Sequence, residues 1–337
     1  MKRRVAIVGA GMVSSLGHTV SDAFARLKIL RNCVKVSEDL ATYKGLHTAL
    51  WAPSGYVRPE SYTRKVVRTM SPVSEMALFA TEQALQDAGL AEDVATLKGG
   101  RLGIAYGSCS GGVEANLDYM SVLVSREVKN VTSSTYLKVM PQTTAVNLSV
   151  HFGTTGRLLP TGTACTSGSL AIGEAYETIV SGKQDVMIAG GSEEFSATQV
   201  AVFDTLFSTS CLNETPERTP CAFDKSRTGL VVGDGAATLI LEELEHARRQ
   251  SPLVRERWRN HQTRRNTSEV FTPPNAKLLD IAYSVSRARP SPWMKSFSPQ
   301  RTSGSTRFRF GANQPLRIIS TVRMASIAPQ APSVCPV

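Results

Sequence analysis

The chain alternates short apolar segments with longer amphipathic ones, and this alternation restricts the fold more than any other feature. Residues 102–106 and 186–189 are strand-like runs, each followed by glycine. Residues 76–88 and 169–180 repeat apolar side chains at helical spacing. In the second helix the apolar residues are Leu170, Ile172, Ala175, Tyr176 and Ile179. Strands that alternate with helices are typical of an α/β fold with a covered sheet, which we predict here.

The alternation ends near residue 247, where the composition also changes. Residues 247–337 carry 16 Lys and Arg against 3 Asp and Glu, whereas the preceding 246 residues carry 22 basic and 25 acidic residues. The same segment holds 10 of the 17 prolines but 2 of the 25 glycines, a composition that resembles disorder. We therefore divide the chain into an α/β domain, residues 1–247, and an atypical basic segment, residues 248–337.

The charge distribution and hydropathy exclude two classes of protein. The net charge of +10 arises from the basic segment, which has no aromatic–basic interleaving and no recognised binding module. We therefore expect no specific nucleic-acid partner. No run of 18 apolar residues occurs, so the sequence predicts no membrane-spanning helix.

The beginning of the chain and its cysteines favour a cytoplasmic protein. Basic residues followed by an apolar run resemble a signal peptide, but the run is short and contains Gly9 and Gly11, which favours a first strand. Six cysteines are scattered without a CxxC pair. They form neither a zinc-ligand pattern nor a dense disulfide framework, so we expect no metal and a reducing compartment.

The segment Gly9-Ala10-Gly11 partly matches a dinucleotide-binding fingerprint. The fingerprint needs a further glycine three residues beyond the second, so that a helix can pack closely beneath the pyrophosphate. Ser14 occupies that position. We interpret the two glycines as the turn that ends the first strand.

A lone cysteine, Cys165, stands among small residues directly before an apolar helix. The segment 161–169 reads Thr-Gly-Thr-Ala-Cys-Thr-Ser-Gly-Ser. Small neighbours allow a substrate carbonyl to approach the sulfur, while a helix N-terminus favours the thiolate and supplies N–H groups for an oxyanion. The alternative is an inert buried cysteine, the commoner role of an isolated one. The whole motif favours a nucleophile.

This motif and several others resemble the β-ketoacyl-acyl-carrier-protein synthases, the condensing enzymes of fatty-acid and polyketide assembly. The similar segments follow in order along about 247 of the 337 residues. They are 4–17, 106–112, 140–147, 151–153, the Cys165 motif, 188–194, 223–229, 233–236 and 241–247.

The resemblance implies a thiolase-like fold, in which two similar α/β halves pack as a five-layered αβαβα sandwich, in a homodimer. It implies that Cys165 accepts an acyl chain from acyl carrier protein. Malonyl carrier protein then decarboxylates and attacks the thioester. Both acyl groups travel on phosphopantetheine, and no other cofactor is implied.

The resemblance also implies the surroundings of the thiol. The backbone N–H of Cys165 would form part of the oxyanion hole, and a glycine-rich loop would lie nearby. The predicted loop residues are Gly107, Ser108, Gly111 and Gly112. Phe203 or Phe207 would line the acyl pocket, with a place in the apolar core as the open alternative.

The resemblance ends where the basic segment begins. The family stabilises the enolate left by decarboxylation with two histidines of its second half, one of them in a His-Gly-Thr motif. None of the five histidines of this chain heads such a motif: His18, His47, His151, His246 and His261. We therefore expect condensation by this chain to be absent or impaired.

Two accounts of residues 248–337 and two functions stay open. A disrupted reading frame near codon 248 explains the Arg, Ser and Pro bias, because GC-rich DNA read out of frame encodes these residues; a genuine alternative segment is the other account. The alternative function is a non-catalytic partner of a ketosynthase, similar to a chain-length factor. The missing histidines favour that function, whereas Cys165 opposes it, because such partners usually lack the nucleophile.

Overall fold

The computed structural model describes residues 3–250, which form two β-sheets with helices packed around them. The strands are β1 (Val5–Ser14), β2 (Lys35–Val36), β3 (Leu50–Ala52), β4 (Leu102–Gly107), β5 (Leu158–Thr161), β6 (Val186–Glu193), β7 (Val232–Gly233) and β8 (Gly235–Glu243). The α-helices are α1 (Val20–Lys28), α2 (Arg64–Val67), α3 (Pro72–Ala88), α4 (Val94–Lys98), α5 (Val113–Ser125), α6 (Ser133–Val139), α7 (Thr143–Phe152), α8 (Ser167–Val180), α9 (Ala197–Thr205) and α10 (Leu244–Gln250).

The main sheet has five strands in the order β1-β8-β6-β4-β5. β4 runs parallel to both β5 and β6, whereas β8 pairs antiparallel with β1 and β6. A smaller sheet has the order β2-β3-β7. Helices α3 and α7 pack on one face of the main sheet and α8 packs on the other. The predicted α/β class, with a covered sheet, is confirmed for these residues.

The first strand is longer than the sequence predicts. It continues through Gly9 and Gly11, which pair with β8, so the interpretation of these glycines as a terminating turn is wrong. A Cβ at Gly9 would lie 2.2 Å from the carbonyl oxygen of Ala84, and one at Gly11 would lie 2.1 Å from that of Ala80. The glycines are therefore required because the backbone of α3 lies directly against the strand.

Large side chains close the face covered by α3. Leu78 and Leu85 of α3 are fully buried, and they join Ile104 and Ile188 of the sheet and Leu148 of α7 in one apolar cluster. A fully buried aliphatic side chain contributes about 1.5–3 kcal/mol relative to an exposed one. This face therefore supplies much of the stability of the domain.

Smaller side chains form the contact between α8 and the other face. The buried residues are spaced four apart on the helix: Ala171, Ala175 and Ile179. Alanine brings a helix close to a sheet because it has no long side chain. The helix predicted over 169–180 is present, and Leu170, Ile172 and Tyr176 lie outside this contact, 38%, 37% and 45% exposed.

The basic segment predicted for 248–337 lies outside the described residues, apart from 248–250 at the end of α10. This is the segment that we predict to stand in place of the second α/β half of the family's fold. Within residues 3–250, no helix combines the length and the apolar content that crossing a membrane requires.

Candidate active site

Cys165 lies in the turn between β5 and α8, and its side chain is exposed. Ala164, the residue before it, has φ of 52°, in the left-handed region that side chains seldom adopt. This conformation costs about 1–2 kcal/mol and persists where the surroundings determine it. The helix begins at Ser167, after the N-cap Thr166. The turn therefore presents the thiol at the N-terminal end of a 14-residue helix.

Hydrogen bonds of Ser167 hold this turn in place. Its hydroxyl donates to the carbonyl of Ala164 at 2.7 Å and accepts from the backbone N–H of Thr163 at 2.9 Å. The hydroxyl of Thr161 donates to the carbonyl of Ser167 at 3.0 Å. These hydrogen bonds connect residues 161–164 to Ser167, the first residue of the helix. They therefore fix the left-handed conformation of Ala164.

Glycines bring the start of α8 against the ends of two strands. A Cβ at Gly107, the last residue of β4, would lie 2.6 Å from the Cβ of Ser167. A Cβ at Gly191 in β6 would lie 3.1 Å from the Cα of Gly168. A side chain at either position would push the helix away. Gly107, predicted as part of the active-site loop, therefore packs against Ser167. Ser167 follows Cys165 by two residues in the sequence.

The other three predicted loop residues lie further along the segment after β4. Ser108 is buried, and its hydroxyl has no hydrogen-bond partner among the described residues. A Cβ at Gly111 would lie 2.1 Å from the carbonyl oxygen of Val139, and the N–H of Gly112 donates to the carbonyl of Lys138 at 2.9 Å. These glycines therefore contact the end of α6, and their part in catalysis stays a prediction.

Two adjacent carboxylates hold the loop, and sequence reasoning did not single them out. Glu193 accepts the backbone N–H groups of Cys109 and Ser110 at 2.7 and 3.2 Å. Glu194 accepts the N–H of Val113 at 2.5 Å. Burial raises the pKa of both carboxyls, that of Glu194 to about 7, while the backbone N–H donors act in the opposite direction.

The two phenylalanines predicted for the acyl pocket lie at and beyond the end of α9. Phe203 is half-buried, whereas Phe207 is 73% exposed and has φ of 53°. The ring centroid of Phe207 lies 5.8 Å from that of His47, whose Nδ1 is 2.9 Å from Oδ2 of the buried Asp204. Exposure of Phe207 excludes a core role for its ring; pocket roles for both residues stay predictions.

The four described histidines make contacts away from Cys165. They are His18 with the carbonyl of Ser54 (2.8 Å), His47 with Asp204 (2.9 Å), His151 with Glu82 (3.6 Å) and His246 with Glu242 (2.6 Å). None of these hydrogen bonds or ion pairs involves the thiol. In residues 3–250, no three His, Cys, Asp or Glu side chains are grouped to hold a metal ion.

Comparison with known families gives one match that covers most of the chain. The family described as "Beta-ketoacyl synthase, N-terminal domain" matches residues 2–247. The 3-oxoacyl-[acyl-carrier-protein] synthase 1 of Haemophilus influenzae is 32% identical over 247 residues, which cover 73% of this chain and 60% of the relative. The chain thus spans about 60% of the length of the curated relatives it matches.

Solved structures share the same fold. A crystal structure of a β-ketoacyl synthase from Burkholderia phymatum STM815 is 49% identical, with a TM-score of 0.71 over 74% of this chain and 61% of that one. A type II PKS acyl-carrier protein in complex with its ketosynthase bound to the hexaketide is 25% identical, with a TM-score of 0.62 over 74% of this chain and 60% of that one. The predicted thiolase-like α/β fold is confirmed for this part of the chain.

Proposed function

Because this chain belongs to the β-ketoacyl synthase family through its residues 2–247, we propose that it acts in the acyl-transfer step of fatty-acid or polyketide and polyene assembly. One observation carries the proposal. Cys165 is an exposed thiol on a strained turn at the N-terminal end of a helix, where a thioester carbonyl can reach the sulfur. Strained backbone is concentrated at functional sites. An inert buried cysteine would explain neither the strain at Ala164 nor the exposure of Cys165.

The proposed step is a thioester exchange. The Cys165 thiolate attacks the carbonyl carbon of an acyl group carried on the phosphopantetheine of acyl carrier protein. The tetrahedral oxyanion then collapses, the bond to the phosphopantetheine sulfur breaks, and the released thiolate takes up the proton that Cys165 lost. The N-terminal end of α8, including the backbone N–H of Cys165, stabilises the oxyanion. Covalent catalysis in this form separates acyl loading from carbon–carbon bond formation.

The second step is condensation with malonyl carrier protein. Loss of CO2 leaves an enolate, which attacks the acyl thioester and returns the Cys165 thiolate. That enolate needs stabilising groups, and the histidine motif that supplies them in the family is absent from this sequence. We therefore expect this chain alone to accept an acyl group but to form little or no β-ketoacyl product.

Acyl carrier protein is the proposed partner, in the cytoplasm. The related structure of a carrier protein in complex with its ketosynthase supports this class of partner. A second copy of the chain is also proposed, because β5 is an edge strand and α5 exposes apolar side chains. The most exposed of these are Leu117, Leu123 and Val124.

The second candidate function is a non-catalytic partner of an active ketosynthase. The missing histidine motif favours it, because such a partner needs no enolate stabilisation. The two candidates differ at Cys165: the acyltransferase forms a thioester there and the non-catalytic partner forms none.

Intact-mass measurement with both carrier proteins tests the proposal. Incubation with acyl carrier protein thioester should add one acyl group to the wild type and none to Cys165→Ala. Subsequent addition of malonyl carrier protein should yield no β-ketoacyl product. Rapid product formation would show that condensation is intact, whereas an unmodified wild-type chain would favour the non-catalytic partner.

A further inference from the structure

The end of β6 contacts the loop that follows β4 through side chains rather than through strand pairing. Glu193 is the last residue of β6. Its Oε2 accepts the N–H of Cys109 at 2.7 Å and its Oε1 accepts that of Ser110 at 3.2 Å. Two consecutive N–H groups of the loop therefore point at one carboxylate. This arrangement fixes the orientation of the loop backbone in a way that a neutral side chain with one acceptor could not reproduce.

Glu194 extends the same contact to two helices. Its Oε1 accepts the N–H of Val113, the first residue of α5, at 2.5 Å. Its Oε2 accepts the N–H of Val73, in the first turn of α3, at 3.2 Å. Both helices direct unpaired N–H groups and the positive ends of their dipoles toward this buried carboxylate. Glu194 therefore connects the end of the loop to α3, a helix of the buried core.

A third side chain of the same segment completes the contact. Nε2 of Gln199 in α9 donates to the hydroxyl of Ser110 at 2.7 Å. Ser108 contributes no such bond, because its buried hydroxyl has no partner among the described residues. Residues 193–199, more than 80 positions further along the chain, therefore hold segment 108–113 from one side, while the end of α6 contacts its two glycines.

The position of the loop relates it to the thiol. The loop leaves β4 at Gly107, which packs against Ser167 without room for a side chain. The hydroxyl of Ser167 in turn bonds Thr163 and Ala164, the two residues that precede Cys165. A shift of the loop backbone by a few tenths of an ångström would therefore act directly on the first residue of α8.

We propose that Glu193 and Glu194 are positioning residues for Cys165, holding segment 108–113 so that an acyl thioester meets a preformed site at the start of α8. Neither carboxylate touches the thiol in this assignment; both act through the loop backbone. The inference rests on the proposed acyl-transfer function. Placing reacting groups in advance accelerates a reaction only when the supporting contacts are rigid, and two carboxylates with four N–H donors meet that condition.

The first test measures the loop itself by hydrogen–deuterium exchange of the full chain. Glu193→Gln and Glu194→Gln each replace one acceptor oxygen with an NH2 group that faces a backbone donor. Exchange in peptides covering 108–113 should rise about tenfold in both variants. Glu177→Gln is the matched control: its exposed carboxylate on α8 makes no hydrogen bond or ion pair with the described residues. Unchanged exchange in the loop would overturn the proposal.

The second test separates positioning from general destabilisation. The limiting rate of Cys165 acylation by saturating acyl carrier protein thioester should fall about tenfold in Glu193→Gln, with the half-saturating concentration unchanged. Alkylation of Cys165 by iodoacetamide should stay within about twofold, because this small reagent needs no aligned carbonyl. Equal losses in both reactions, or a loss in neither, would contradict the assignment.

Failure of the proposed function gives a different result. If the wild type accepts no acyl group, acyl transfer is wrong, and with it the assigned positioning role, whatever exchange shows. If the wild type is acylated and the Gln variants match Glu177→Gln, acyl transfer stands and the positioning role is wrong. Glu193→Gln is the safer variant for folding, because Glu193 is half-buried whereas Glu194 is buried.

Discussion

The two faces of the main sheet differ in the helices that pack against them and in how far those helices are exposed. On one face, the glycines of β1 admit the backbone of α3, and large aliphatic side chains close the contact. On the other face, the alanines of α8 pack on the sheet, while Leu170, Ile172 and Tyr176 of the same helix remain partly exposed. Both contacts with the sheet are buried, but α3 is buried along most of its length, whereas the outward side of α8 leaves apolar side chains exposed. Substitutions in the contact of α3 should therefore cost more stability than substitutions on the outward side of α8.

The largest effect is expected from Gly11→Ala, in the contact between β1 and α3. The added Cβ would lie 2.1 Å from the carbonyl oxygen of Ala80, so α3 must move away from β1. We expect the free energy of unfolding to fall by about 3–5 kcal/mol, measured by urea denaturation. The control is Gly173→Ala on α8, where an added Cβ meets no atom within 4 Å. It should gain about 0.5–1 kcal/mol of stability, and equal effects of the two changes would refute the comparison.

A matched pair of leucines gives a smaller but cleaner contrast. Leu78→Ala removes a fully buried side chain of α3 and should cost about 2–5 kcal/mol. Leu170→Ala removes a partly exposed side chain of α8 and should cost less than about 1 kcal/mol. Thermal and urea unfolding of both variants measure the difference. Similar costs would mean that Leu170 is packed as tightly as Leu78.

An ion pair at the opposite end of β6 lies away from the turn that carries Cys165. Asp185 precedes β6 and accepts hydrogen bonds from Arg101 and Arg3. The bond from Arg101, followed by that from Arg3, lowers the pKa of Asp185 to about 2, although burial opposes the shift. Solvent around the half-exposed Arg101 screens the pair, so Asp185→Asn should cost about 1–2 kcal/mol at pH 7, and it should leave acylation of Cys165 unchanged.

The pH dependence of that cost follows from the direction of the shift. A carboxyl whose pKa is lower in the folded state than in the unfolded state stabilises the fold. This contribution is complete at pH values above the ordinary pKa of the group, which is about 4. The contribution is lost as the pH falls through about 2. The difference between wild type and Asp185→Asn should therefore shrink between pH 4 and pH 2. A difference that stays constant over this range would show that Asp185 acts through packing and not through charge.

The sequence predicts what local pattern controls. The strands β4 and β6 and the helices α3 and α8 follow from apolar spacing, with small errors at their ends. The position of Cys165 at a helix start follows from the small residues around it.

Features set by distant packing are not predictable in the same way. Gly9 and Gly11 look like a turn because α3, which forbids a side chain there, begins 61 residues beyond Gly11. The role of Glu193 depends on backbone N–H groups more than 80 residues earlier, which no short motif contains. The sequence also does not show which apolar residues of α8 contact the sheet. Leu170, Ile172 and Tyr176 are partly exposed, although they are as apolar as the buried residues of the same helix.

The most direct test maps the acyl group among the cysteines after incubation with acyl carrier protein thioester. Residues 3–250 contain five free thiols, and Cys109 is exposed like Cys165, so it serves as an internal comparison. Peptide mass spectrometry should find the acyl group on Cys165 while Cys109 stays free, and Cys165→Ala should carry none. An acyl group on Cys109, or one that persists in Cys165→Ala, would contradict the assignment of the nucleophile.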